Sequence, residues 1–179
     1  MIKIISVTNQ KGGVGKTTTT INLATSLAAV KKNVLIIDAD PQGNASTGLG
    51  IPYKSRDPSI YEMIHEKKLL KEGIKETIIP GLSIIGANTD LAAAEVELTS
   101  FDKREYTFTN IFKEIDNFDY VFIDCPPALG LLTINSLVAS DSALIPLQSE
   151  FFALEGLSAL MKTIELIQQS YNKKLEIEG

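Results

Sequence analysis

The run Lys11-Gly12-Gly13-Val14-Gly15-Lys16-Thr17-Thr18 combines residue types suited to holding phosphate. Its glycines let successive backbone N–H groups point into one concavity, where a Cβ would keep an anion off the backbone. Lys16 offers a point charge to terminal phosphate oxygens, and the Thr17 hydroxyl offers an oxygen ligand to Mg²⁺. The general phosphate-loop pattern opens on a glycine, and Gln10 stands in that place here. The loop carries a second lysine instead, Lys11. Two lysines flanking one short loop cannot both easily serve the same phosphates. A Lys11 aimed outward would neutralise a triphosphate on a facing subunit, which couples dimerisation to the γ-phosphate.

Two further acids follow short apolar runs. Val34–Ile37 leads into Asp38, and Tyr120–Ile123 leads into Asp124. In an open parallel sheet, ligands sit beyond the carboxyl ends of the strands, so the glycine loop and both acids are expected at one edge. Phe118–Asp124 has the form of a Walker B segment, whose carboxylate holds Mg²⁺ through a water. Asp40 lies on the loop Asp40-Pro41-Gln42-Gly43-Asn44 and is the candidate for orienting a hydrolytic water. Asp38 is expected to support Lys16 or the outer shell of the metal, and the reverse assignment of the two acids stays open. The candidate set is therefore Asp40, Lys16 and Lys11 for chemistry, and Lys11 through Thr18 (Lys11, Gly12, Gly13, Val14, Gly15, Lys16, Thr17, Thr18) for phosphates. Thr17, Asp124 and Asp40 are the candidates for the metal. Cys125 is the only cysteine and reads as a small buried hydrophobe rather than a redox group. His65, the only histidine, reads as a surface or helix-end residue.

These residues need elements to position them. Ile2–Val7 is an apolar, β-branched strand candidate, and Lys16 to Val30 carries a helical stripe at Ile21, Leu23, Ala24, Leu27 and Ala28. Lys31 and Lys32 suit the negative end of that helix. Ser59 to Lys71 reads as one or two short helices with Ser59 as N-cap. Leu82–Ile85, Tyr120–Asp124 and Ala143–Pro146 read as strands; Leu91–Leu98, Arg104–Ile115, Leu131–Ala139 and Leu154–Tyr171 read as helices. Such alternation implies an α/β fold, a mostly parallel twisted sheet with helices on both faces. Leu175-Glu176-Ile177-Glu178-Gly179 alternates apolar and acidic residues and reads as the start of another strand. Residues 1–179 are expected to form a single domain whose C-terminal part is missing.

Composition bounds the function. The chain has 179 residues, 44% hydrophobic and 22% charged, a globular profile long enough for a real core. Apolar runs are too short for a membrane helix, and the N-terminus lacks a signal-peptide pattern. One cysteine excludes an internal disulfide and fits a reducing compartment. The net charge of −5 hides an asymmetry: residues 1–58 carry seven Lys/Arg against three Asp/Glu, and the rest is acidic. No dense basic stripe announces nucleic-acid binding.

Three motifs together resemble the ParA/Soj family of partition ATPases: Gln10 to Thr18, Asp38 to Asn44, and Ile123-Asp124-Cys125-Pro126-Pro127. Leu131-Leu132-Thr133-Ile134-Asn135 and Ala153-Leu154-Glu155-Gly156-Leu157 are similar to that family as well. The resemblance implies a P-loop NTPase of the deviant Walker A, SIMIBI type that uses ATP and Mg²⁺. Lys11 is then the signature lysine that reaches across a nucleotide sandwich dimer to the partner's ATP. Lys16 serves the ATP of its own subunit, Thr17 holds Mg²⁺, and Asp40 assists hydrolysis. It further implies an ATP-dependent homodimer that binds DNA without sequence preference and a ParB/Spo0J-like partner that stimulates hydrolysis. Chromosome or plasmid segregation in the cytoplasm, on the nucleoid in the ATP state, would follow, with no membrane contact. DNA contacts and adenine contacts of the family are expected beyond Gly179. A MinD-like membrane-cycling ATPase shares the Lys11–Lys16 chemistry, and a nucleotide-gated scaffold without turnover is the reading from another class.

Overall fold

The computed structural model describes residues 2–66, 69–148 and 153–179, with the side chains of 153–155 excepted. Among them is a seven-stranded sheet in the order β3-β4-β2-β5-β1-β6-β7. The strands are β1 (Lys3–Val7), β2 (Val34–Asp38), β3 (Ile74–Glu76), β4 (Leu82–Ile85), β5 (Tyr120–Asp124), β6 (Ser142–Leu144) and β7 (Glu176–Ile177). All neighbours pair parallel except β3, which runs antiparallel to β4.

The central strands are apolar on both sides because both faces are covered. Val34 and Ile36 of β2 and Phe122 of β5 pack with Ala24 and Ala28 of α1 (Lys16–Ala29) and Ala45 of α2 (Asn44–Gly48). Their alternate neighbours Leu35, Ile37, Val121 and Ile123 face the opposite layer. That layer holds α3 (Ile60–His65), α5 (Leu91–Glu97), α6 (Thr107–Phe112) and the start of α7 (Leu131–Ala139); α4 (Leu70–Gly73) adds Leu70. Leu35, Ile36 and Ile37 are each fully buried, worth about 1.5–3 kcal/mol apiece relative to exposure. A third cluster joins α7 to α8 (Ala153–Ser170) through Leu137, Leu160 and Ile164.

Most expected elements stand within a residue or two of their sequence bounds. Ser59 caps α3 in a capping box, its backbone N–H donating to Glu62 at 2.7 Å. Lys67 and Lys68, within the expected Ser59–Lys71 helices, lie outside the described residues. The expected Arg104–Ile115 helix is shorter: Arg104–Tyr106 forms a 3₁₀ turn and α6 ends at Phe112. Lys31 and Lys32 lie past the last turn of α1; Lys31 takes a left-handed conformation (φ 65) and its N–H closes on the Ala28 carbonyl. Two elements were not expected. α2 occupies five residues of small polar character directly after the Asp40 loop, and β3 is a three-residue strand whose Lys75 and Glu76 give no buried pattern. The Leu175–Gly179 alternation does form a strand, β7, parallel to β6.

Register brings the chemistry together. Val7 at the end of β1 is level with Asp124, and Asp124 is level with Asp38 on its other side. The strand-end acids are thus cross-strand neighbours beneath the loop that follows β1.

Candidate functional site

The glycine loop joins β1 to α1. Gly13 (φ 77) and Gly15 (φ 91) hold left-handed conformations that a side chain would strain. Gly15 caps α1, and its carbonyl accepts from the Thr19 N–H at 2.8 Å. A Cβ built on Gly12, Gly13 or Gly15 would point into open space. That space is a cleft of about 550 Å³ bounded by the loop, Thr17, Thr18, Asp40, Gln42 and Pro127. It sits on the N-terminus of a helix with no acidic residue in its first turn, where exposed N–H groups and the dipole favour an anion.

Lys16 is 7% exposed at the base of this cleft. Its Nζ donates to the Lys11 carbonyl at 3.0 Å. Burial pulls its pKa below the ordinary lysine value, while the charges of Asp124 and Asp40 pull the other way. The Thr17 hydroxyl donates to Asp124 Oδ2 at 2.7 Å, and Thr20 Oγ1 lies 3.4 Å from Asp124 Oδ1. Burial pushes Asp124 up to about 7, against the Thr17 hydrogen bond and with help from the charges of Asp38 and Asp40. A hydroxyl and a fully buried carboxylate in contact form an all-oxygen donor pair, which fits Mg²⁺ better than a soft metal. No cluster of three or more His, Cys, Asp or Glu able to hold a metal occurs among the described residues.

Asp38 and Asp40 separate by environment. The Asp38 carboxylate accepts from the Ser46 N–H at 2.8 Å, the Ser46 hydroxyl at 2.7 Å and the Asp40 N–H at 3.3 Å. It secures the first turn of α2 from the end of β2. The expected support of Lys16 gives way to this role, because the unforeseen α2 presents Ser46 to it. Burial raises Asp38 to about 6, with the Ser46 hydrogen bonds opposing. Asp40 instead lines the cleft. Its Oδ1 accepts from the Gln42 N–H at 2.9 Å and its carbonyl from the Gly43 N–H at 2.9 Å, so a tight turn holds it.

Both raised acids bear on stability. A carboxyl whose pKa is higher folded than unfolded binds its proton more tightly in the folded state. The resulting stabilisation is complete below the ordinary value of 3.8 and is lost as pH rises through about 6 for Asp38 and about 7 for Asp124. Metal- and nucleotide-free protein is expected to lose on the order of a few kcal/mol of stability between about pH 4 and pH 7 from these groups. Urea midpoints measured in EDTA across that range check this. Asp124→Asn, uncharged throughout, is expected to flatten the profile; an unchanged slope would contradict the assignment.

Cys125 is buried, and burial pushes its thiol up to about 12, which leaves it unreactive. His65 ends α3, packs edge-on to Tyr61 and Phe101, and contacts Glu97 at 3.1 Å. Several supporting residues escaped the sequence reading. Asn9 accepts from the Lys11 N–H at 2.9 Å and donates to the Pro146 carbonyl at 2.9 Å, which ties the loop to the segment after β6. Its place two residues before Lys11 is an Asx-turn signal. Gln148 Nε2 donates to the Gly13 carbonyl at 3.1 Å. Buried Arg56 donates to Thr47 Oγ1 at 2.8 Å and to the Ala87 carbonyl at 3.1 Å, bracing α2. Neither carries a local sequence signal, since each partner is distant in the chain or unremarkable in type. Lys11 also has interactions within the fold.

Known proteins share this fold. The family described as AAA domain matches residues 2–177. The chain is 49% identical to the sporulation initiation inhibitor protein Soj of Bacillus subtilis, over all of this chain and 71% of that one. It is 47% identical to the chromosome partitioning protein ParA of Caulobacter vibrioides, over 99% of this chain and 68% of that one. Among solved structures, cobyrinic acid a,c-diamide synthase from Mycobacterium smegmatis with bound ADP and magnesium superposes with a TM-score of 0.94 at 36% identity. That match covers 99% of this chain and 72% of the synthase. No helix among the described residues is long and apolar enough to cross a membrane. On the family match over residues 2–177 and these identities, the chain belongs to the ParA/Soj family of chromosome partitioning P-loop ATPases.

Proposed function

We propose that residues 1–179 form one ATPase domain that binds ATP with Mg²⁺, closes into a homodimer on ATP, and drives chromosome or plasmid segregation through a cycle of hydrolysis. The observation that carries this reading is the contact between the Thr17 hydroxyl and Asp124 at 2.7 Å beneath an open glycine loop. ADP and magnesium in the related synthase support the choice of ligand. Gly12 through Thr18 cradle the phosphates, and Lys16 leaves the Lys11 carbonyl to neutralise them. Thr17 and Asp124 hold the Mg²⁺, with Asp40 beside them; the ion's part is to screen phosphate charge. Asp40 orients the attacking water from its fixed turn. Lys11 reaches the triphosphate of the facing subunit. DNA without sequence preference and a ParB-like protein are the partners proposed for the whole protein, which places its ATP form on the nucleoid. The names of two similar relatives, Soj and ParA, support this branch over a membrane-cycling one.

Sedimentation of the full-length protein with ADP and with ATP·Mg²⁺, using Asp40→Ala to slow hydrolysis, tests the reading. A shift from monomer to dimer with ATP alone is the expected result. ATP bound without any shift would remove the role given to Lys11 and favour a scaffold without a sandwich switch.

A further inference from the structure

We infer that Glu95 is a positioning residue for the nucleotide cleft, acting through α7 and the Cys125–Gly130 segment; the inference rests on the ATP reading above. α7 starts without a cap of its own, because its N-cap residue is Gly130 and no side chain there can accept. Glu95, a half-buried residue of α5, supplies the cap from another helix. Its Oε2 accepts from the Leu131 N–H at 2.7 Å and its Oε1 from the Leu132 N–H at 3.2 Å. Both bonds are charge-assisted and sit at the positive end of the helix. α5 is a firm base for this contact, since its Leu91 and Ala94, and Leu98 just after it, are fully buried in the core.

The segment so anchored runs from Asp124 to α7. One end is β5, locked in register between β1 and β2. The other end is held by Glu95 and by the Thr133 hydroxyl, which donates to the Ala128 carbonyl at 2.6 Å. Pro127, between them, lines the cleft together with the glycine loop. Removing the Glu95 cap therefore takes away one of the two side-chain anchors at that end of the cleft wall and leaves it to the Thr133 bond. Gly130 offers a second, independent handle on the same contact. A Cβ built there would lie 2.5 Å from Glu95 Oε1 and 2.6 Å from Oε2. Its backbone (φ −84, ψ −172) is open to any residue, so what a methyl group there would displace is the flexible end of Glu95, and with it the cap.

The test is calorimetric titration of the full-length protein with MgATP, together with steady-state kinetics. Glu95→Ala is expected to raise the Kd and KM for MgATP about tenfold with little change in kcat, the loss of a charge-assisted positioning contact. Glu95→Gln, which can still accept from an N–H, is expected to fall between wild type and alanine. Gly130→Ala is expected to match Glu95→Ala, and the double variant to be no worse than Glu95→Ala alone, because the added methyl group then meets no carboxylate. If the alanine variant does not fold, Glu95→Gln and Gly130→Ala carry the test. An unchanged Kd in a Glu95 variant that only melts earlier, or multiplying effects in the double variant, would overturn the inference. Wild type that fails to bind MgATP would overturn the nucleotide reading itself, and the inference with it.

Discussion

Lys16→Ala is expected to weaken MgATP binding on the order of 10³-fold, the scale for truncating a buried charge partner. Lys16 is the one cation that the first turn of α1 presents to the floor of the cleft, and it is nearly buried. Its ammonium rests on a single carbonyl, a partner that cannot match a charge. Burial already works against its proton, with the charges of Asp124 and Asp40 among the groups that oppose that loss. A terminal phosphate would supply the missing counter-charge at close range and in low dielectric, where such contacts are strongest. Alanine removes the charge without touching the glycine backbone, so the fold should survive, as circular dichroism would verify. Titration calorimetry gives the affinity. Binding within about threefold of wild type, too small a loss for a truncated charge partner, would take Lys16 out of the site.

Asp40→Ala is expected to keep ATP affinity and to lower turnover on the order of 10²-fold or more, the usual loss when a water-orienting group is removed. The Asp40 carboxylate lines the cleft, yet its hydrogen bond goes to its own turn at Gln42 and not to the glycine loop. Binding should therefore not depend on it. Its negative charge also helps to raise Asp124, so its removal should ease ionisation of the acid proposed to hold the metal. The predicted phenotype is an ATP-loaded protein that accumulates as dimer, read by phosphate release and by sedimentation on the same samples. Unchanged phosphate release would exclude Asp40 from the mechanism.

The roles of Asp38 and Asp40 illustrate how far the chain could be read without coordinates. Both follow one apolar strand within three residues; the Pro/Gly loop favours Asp40 for the water, but the sequence leaves the reverse assignment open. What separates them is Ser46, carried by a five-residue helix whose composition, Asn-Ala-Ser-Thr-Gly, has no apolar period to announce it. That helix takes the Asp38 carboxylate and leaves Asp40 to face the cleft. In the sequence Glu95 is simply one residue of the expected Leu91–Leu98 helix. Its partners at Leu131 and Leu132 lie 36 and 37 positions away, beyond any window of periodicity.

The sequence by itself determined the phosphate loop, the order of the central strands and helices, and the acids that end β2 and β5. Those features are local: glycine spacing, runs of buried β-branched residues and helical stripes act over a few residues. The tertiary structure alone decided which acid accepts from Ser46 at the start of α2, that Glu95 of α5 caps α7, and which distant side chains hydrogen-bond to the loop. Those outcomes depend on strand register and on partners brought together by the whole core, and a hydrogen bond across such distances leaves no mark on the residues between.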